Sequence, residues 1–169
     1  MHAPISPRLR ALVAVAGAAG TLIAVTACEQ PEPEVSVFSG AVSDHRPPVC
    51  WTADQTKVDL KTCLSVSGTG AAERIEDLGD AVGEVPVRAD ATIGVSVDDE
   101  VAERGWYVLL GSTRVNAEPA RDSYYRFSLP ATVVDAGDEV PMYVISVAGD
   151  DVDTVTGVWA FQLVPDTGD

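Results

Sequence analysis

Two stretches of alternation limit what this chain can become. In Thr92-Ile93-Gly94-Val95-Ser96-Val97 every second residue is a branched apolar one. In Gly157 to Val164, G-V-W-A-F-Q-L-V, an extended backbone sends Trp159, Phe161 and Leu163 to one side and Val158, Ala160 and Gln162 to the other. A repeat of two is the period of a β-strand, and a helix cannot gather such a pattern onto one face.

Other segments carry the same period. Tyr124, Arg126 and Ser128 alternate with Tyr125, Phe127 and Leu129 before Pro130, and Met142 to Val147 has one mixed face. Trp106 to Leu110 is a continuous apolar run, suited to a sheet centre. Val35, Val37 and Phe38 open a strand that runs towards Val42, and Ser43 to Pro48 reads as a turn with two prolines. Val49 to Trp51, Thr62 to Val66 and the pair Val85 and Val87 add shorter strands. Thr52 to Lys61 reads as a polar loop, Ala89 to Ala91 as a turn, Asp98 to Gly105 as a single helical turn and Gly149 to Thr156 as an acidic turn. Ser67 to Glu84 is expected to be a surface insertion, with two helical turns over Ala71 to Leu78. About eight strands with turn-rich connections and no βαβ alternation predict an all-β fold, an immunoglobulin-like antiparallel β-sandwich over residues 35–169. Trp106 is placed like the core tryptophan of a third strand in such folds, and Met142–Val147 with Trp159–Val164 would form the C-terminal hairpin. The inter-sheet disulfide of antibody domains has no counterpart, since the cysteines fall early in the chain.

The first 27 residues do not belong to that domain. Met1 to Arg10 carries Arg8 and Arg10 and no acid, and Ala11 to Ala27 is an apolar run ending in small residues. Basic start, apolar middle and small-residue end form the signal-peptide pattern. The closing Val25-Thr26-Ala27-Cys28 resembles the lipobox of bacterial lipoproteins, which implies a diacylglycerol on Cys28 and a cysteine at the mature N-terminus. The competing readings are a cleaved signal without lipid and a membrane-spanning helix, for which the run of about 17 residues is at the short limit. The organisation expected is therefore a signal peptide at 1–27, a lipidated cysteine and Pro/Glu tether at 28–34 (E-Q-P-E-P-E from Glu29), and one domain at 35–169. Two acyl chains hold a protein to a membrane stably. The expected location is the outer face of the cytoplasmic membrane, in the cell envelope.

Removing the signal leaves 142 of 169 residues and, with two arginines gone, takes the formal charge from −15 to −17. A body so acidic is repelled by nucleic acid and by anionic lipid, so no nucleic-acid partner is expected. Cys28 accounts for the odd cysteine, and Cys50 and Cys63, in an exported chain, are expected to form a disulfide. A loop of that length constrains the unfolded chain by about 3 kcal/mol.

Catalytic chemistry finds few residues to use. The mature chain has one histidine, His45, in a proline-flanked segment, and no G-x-S-x-G elbow; Gly94-Val95-Ser96-Val97-Asp98 lacks the second glycine. The same count leaves no histidine set for zinc, and neither a G-x-G-x-x-G nor a P-loop motif is present. Asp98, Asp99, Glu100 and Glu103 could pair for glycoside hydrolysis, but the ten aromatics are too few to line a cleft as well as fill a core. Asp150, Asp151 and Asp153, and Asp135, Asp138 and Glu139, fall in expected turns suited to weak calcium binding, yet Val155 occupies the third ligand position of a calcium loop. No cofactor or metal is expected. Arg121, Tyr124, Tyr125 and Arg126 form the one candidate partner surface, because Tyr and Arg favour interfaces; alternation turns one of the two tyrosines inward.

Taken in order, V-T-A-C, a strand-borne Cys50, P-V-R-A-D-A-T-I-G-V-S-V-D-D-E-V-A-E-R-G-W from Pro86 to Trp106, and G-V-W-A-F near the end resemble a family of uncharacterised lipoproteins, a domain of unknown function, of high-GC Gram-positive bacteria. The resemblance covers most of the mature chain and implies the same location and a β fold. It carries no activity and no functional residues. The sequence thus reads as a lipid-anchored, extracytoplasmic, non-enzymatic binding or structural module, with an envelope protein as possible partner. The alternative is a carrier holding a small or lipidic ligand in an apolar cavity between its sheets.

Overall fold

The computed structural model describes residues 31–59, 63, 78–130 and 139–166. The chain divides at Pro31, and the fold below is that of the unit from Glu32 onwards. It is an all-β sandwich. One sheet has the order β2-β1-β5-β8, built from β1 (Val35–Ser39), β2 (Val42–Arg46), β5 (Thr92–Val97) and β8 (Tyr124–Ser128). The other has the order β3-β10-β9-β6-β7, from β3 (Cys50–Trp51), β6 (Trp106–Leu110), β7 (Thr113–Arg114), β9 (Val140–Ala148) and β10 (Asp151–Pro165). β4 (Val82–Val87) joins it by pairing with the second half of β10, on the edge whose first half takes β3. That pair is parallel; every other strand pair among the described residues is antiparallel.

Alternation decides which side chains meet between the sheets. Val35, Val37, Ile93, Val95 and Val97 of the smaller sheet face Val85, Trp106, Val108, Met142, Val144, Trp159, Phe161 and Leu163 of the larger. The opposite face of the larger sheet is apolar as well. Tyr107, Tyr143, Ile145, Val147, Val158 and Ala160 form a second core there, beneath Val49, Cys63 and Leu78. The disulfide holds this cover in place: Cys50 on β3 is joined to Cys63, with Cα atoms 5.8 Å apart. Cys63 itself is not in a strand: its N–H donates to Asp59 O four residues back, as in a helical turn. The other residues of that expected strand lie outside the described residues, as does the expected helix over Ala71 to Leu78 apart from Leu78.

Several expected turns are strand. β1 stops at Ser39, and Gly40-Ala41 forms a two-residue hairpin turn with Gly40 at φ +60°, where a glycine is favoured. Ser43 to Arg46 then runs back as β2 instead of turning. Its inward positions are Asp44 and Arg46, which pair at 2.8 Å on the open edge of the sandwich. Asp44 also accepts the Glu84 N–H, which ties β2 to β4. The acidic turn expected over Gly149 to Thr156 shrinks to Gly149-Asp150. From Asp151 the chain is β10, with register shifts before Gly157. Buried Ser146 and Thr156 satisfy each other there, their hydroxyl oxygens 3.0 Å apart.

The helical turn is present as α1 (Asp99–Arg104). Asp99 and Glu100 lie in its first turn and Arg104 in its last, as the helix dipole favours. Arg104 is 5% exposed. Its guanidinium donates to Thr52 O (2.6 Å), Ala53 O (2.9 Å) and Glu100 Oε1 (2.6 Å), and its carbon stands 3.9 Å above the Trp51 ring. Trp51 in turn meets Trp159 at 5.6 Å, and the Trp159 indole N–H donates to Pro33 O. The chain's entry into the domain is therefore fixed by the core.

Two losses of stability follow. Arg104→Ala removes the guanidinium that Thr52 O, Ala53 O and the part-exposed Glu100 share, and losing charge-assisted hydrogen bonds of this kind should cost about 2–3 kcal/mol. Arg104→Lys, without the planar fork, should recover only part of it in urea unfolding. A loss under about 1 kcal/mol would mean that water replaces the guanidinium. The double variant Cys50→Ala/Cys63→Ala should lose about 3 kcal/mol, with amide exchange rising first on the covered face at Tyr143 and Ile145. An unchanged unfolding midpoint would show that packing alone retains the cover.

Candidate interaction surface

The smaller sheet buries one face and leaves the other to solvent. Its register sets the outward rows: Ser36 lies between His45 and Ser96, with Tyr124 beyond, and Phe38 lies between Ser43 and Gly94, with Arg126 beyond. Tyr124 is 53% exposed. Gly94 is what lets its ring lie down: a Cβ at Gly94 would sit 2.7 Å from the Tyr124 hydroxyl and 3.1–3.2 Å from two ring carbons. The ring covers the gap left by the glycine and turns its other face outward. Phe38, on the far side of Gly94, is half-buried.

The four residues expected to form one partner surface are separated by the fold. Tyr124 and Arg126 share the outer face of β8, both exposed. Tyr125 is the tyrosine turned inward: it meets Trp106 edge-on at 6.3 Å and stacks on Phe127 at 6.5 Å. Arg121 belongs to the end of the sandwich near α1. It donates to Glu103 O and pairs with Asp150 at 2.9 Å, so it fastens two loops. Just upstream, Asn116 donates to Trp106 O and Glu118 O and accepts the Val108 N–H, completing the edge of β6.

Several of the candidate carboxylates have structural partners. The Asp98 side chain accepts the Glu34 N–H, and Glu100 holds Arg104. In the β9–β10 turn, the Thr154 hydroxyl and the Asp153 N–H both donate to Asp151 and hold its carboxyl below the usual range. Asp150 is committed to Arg121, and Glu139 accepts a hydrogen bond from Gln162. Asp135 and Asp138 lie outside the described residues. Among the described residues no group of three or more His, Cys, Asp or Glu is placed to hold a metal ion. His45 stands on the outer face of β2, opposite Ser36. Two further titratable groups are shifted. Burial raises the Tyr107 phenol, against the opposing pull of Arg114 4.2 Å over its ring, and the Thr56 hydroxyl lowers Asp54.

Several clefts open among the described residues, and three bear on ligand binding. A polar one of about 610 Å³ follows the β2–β4 edge past Arg46, Glu84 and Gln162. One of about 530 Å³ lies between the Gly40 turn and Pro86–Thr92, beside the Arg88–Asp166 ion pair. The third, about 340 Å³, is apolar and lies where the sheets part at β7 and β8, lined by Leu110, Val115, Phe127, Pro130 and Val140.

Sequence reasoning found Tyr124 and Arg126 but missed Phe38 and Gly94 as their neighbours. Those residues lie far apart along the chain, and only the β1–β5–β8 register joins them; an outward glycine between two β-branched residues is the one local sign of a ring lying across it. No protein-family model matches this chain, and no curated protein matches it significantly.

Proposed function

We propose that the protein is a lipid-anchored extracytoplasmic envelope protein that acts as a non-enzymatic binding or structural module. The anchor rests on Val25-Thr26-Ala27-Cys28 and the signal-like segment before it, and on the resemblance to actinobacterial lipoproteins. The observation that carries the reading is the fixed entry at Pro33. Trp159 holds its carbonyl, the Glu34 N–H is bound by Asp98, and Pro33 is itself buried. Four residues separate Cys28 from Pro33, so the five steps between them span at most about 18 Å of extended chain. An acyl group on Cys28 would keep the sandwich close to a membrane, with α1 and the Gly149-Asp150 turn at the near end. The Gly40, Asp90 and Gly111 turns would be at the far end.

A binding role, as opposed to a catalytic one, agrees with where these polar groups go: Glu100 pairs with Arg104, Asp150 with Arg121, and Asp98 accepts the Glu34 amide. The carrier reading has one observation in its favour, the 340 Å³ apolar cleft at β7 and β8, at the small end of ligand pockets. Between the sheets, however, Trp106, Trp159, Phe161, Met142 and Leu163 are fully buried and fill the space a larger lipid would need.

The full chain expressed in an actinobacterial host should fractionate with membranes and give an N-terminal cysteine peptide carrying acyl mass. Cys28→Ser should move it to the soluble fraction. Membrane-bound Cys28→Ser protein, or an intact Met1 terminus on the wild type, would overturn the anchor.

A further inference from the structure

We propose that the outer face of the β2-β1-β5-β8 sheet is a docking platform for an acidic glycan chain, with Tyr124 as stacking residue and Arg126 as charge partner. The proposal rests on the binding-module reading but not on the lipid anchor.

The first observation is charge. The chain has 26 Asp and Glu against 11 Lys and Arg, yet no carboxylate stands at an outward position of these four strands. Asp44, the one acid within them, is at an inward position opposite Val37 and paired with Arg46. The charged or chargeable groups on the face are Arg126 and His45, both exposed. Arg126 makes no ion pair among the described residues. The face complements an anion around Arg126, while Glu34, Asp98 and Asp122 stand two residues beyond Ser36, Ser96 and Tyr124, at one end of the strands and within about the 8 Å screening length of that row.

The second observation is shape. With strands about 4.8 Å apart and about 3.4 Å per residue, four five-residue strands offer on the order of 300 Å². A stable protein partner needs roughly 800 Å² on each side, so neither a second copy nor a globular protein is well served. An extended peptide would add at a sheet edge, β2 or β8, through backbone hydrogen bonds, and would leave the outward face and the Tyr124 ring unused.

What the face offers instead is a flat ring surface and a set of hydroxyls. The Tyr124 ring, laid on Gly94, exposes its electron-rich face, which attracts the C–H bonds on the apolar side of a pyranose. Ser36 and Ser96 beside it can exchange hydrogen bonds with sugar hydroxyls, and Arg126 can take a carboxylate or phosphate in a two-point contact.

The test uses the full chain in detergent and isothermal titration with three probes: oligogalacturonate, a phosphorylated mannan and, as neutral control, cellohexaose. Binding of at least one acidic probe is expected at a Kd of about a millimolar or tighter, with the neutral probe about threefold or more weaker. Tyr124→Ala should weaken it about tenfold, while Tyr124→Phe keeps it within about twofold. Arg126→Ala should remove the preference for acid over neutral. Circular dichroism and an unchanged melting temperature would establish that each variant is folded. No binding of either acidic probe overturns the proposal, as does equal affinity for the neutral one or binding untouched by Tyr124→Ala and Arg126→Ala. Light scattering that shows Tyr124-dependent self-association would assign the face to a second copy instead. The Cys28→Ser fractionation is independent of all these outcomes, so a failed platform and a failed anchor are told apart.

Discussion

The sandwich depends on one buried cation. Burying a guanidinium is costly unless its donors are used, and Arg104 uses them on two carbonyls of the Thr52-Ala53 loop and on Glu100 while its plane covers Trp51. Four elements meet through that contact: α1, β3, β10 and the N-terminal entry. The geometry requires a glycine at 157. A Cβ there would lie 2.6 Å from the Trp51 ring and 3.0 Å from that of Trp159, so any other residue forces the two indoles apart. The absence of one carbon on β10 thus permits the ring that receives Arg104, and the same rings present the indole N–H that holds Pro33.

The two sheets differ in how many faces they bury, and this explains their compositions. The larger sheet is covered on both sides, so β9 and the second half of β10 are apolar at nearly every position. Sequence segments of that kind do not say which face is which. The smaller sheet is covered on one side, and β5 and β8 alternate accordingly. Val49, Cys63 and Leu78 lie over the outer face of the larger sheet, and the Cys50–Cys63 disulfide ties one of them to β3.

Much of this was legible in the sequence where a local rule applied. β5, β8, the C-terminal hairpin, the helical turn after Asp98, an inward position for one of the two adjacent tyrosines and the disulfide follow from alternation, its acidic interruption and cysteine count. The misses have physical causes. Val42-Ser43-Asp44-His45-Arg46 looks like a polar turn because its inward positions hold an ion pair at the sandwich edge, where an apolar residue would be half-solvated. The parallel pairing of β4 with β10 joins residues about eighty apart, and no local pattern encodes it. Arg104 reads as a solvated helix terminus, since an arginine is buried only when distant carbonyls happen to receive it. In the candidate surface, Tyr124 and Arg126 could be chosen on residue type alone, whereas Phe38 and Gly94 belong to it only through register.

Charge is distributed in a way that bears on how such a body would stand at a membrane. Glu34, Asp98, Asp99, Glu103, Asp122 and Asp150 gather at the end where the chain enters, and of the two arginines there Arg104 is buried and Arg121 is held by Asp150. Anionic lipid repels an end of that sign within a screening length or so. If Cys28 is acylated as proposed, a tether of at most about 18 Å would leave the domain little room to turn over. Repulsion below and a short leash would together favour an upright posture, strands directed away from the lipid. In that posture the outward face of the smaller sheet would look sideways, along the membrane, and would be the surface open to a polymer lying in that plane.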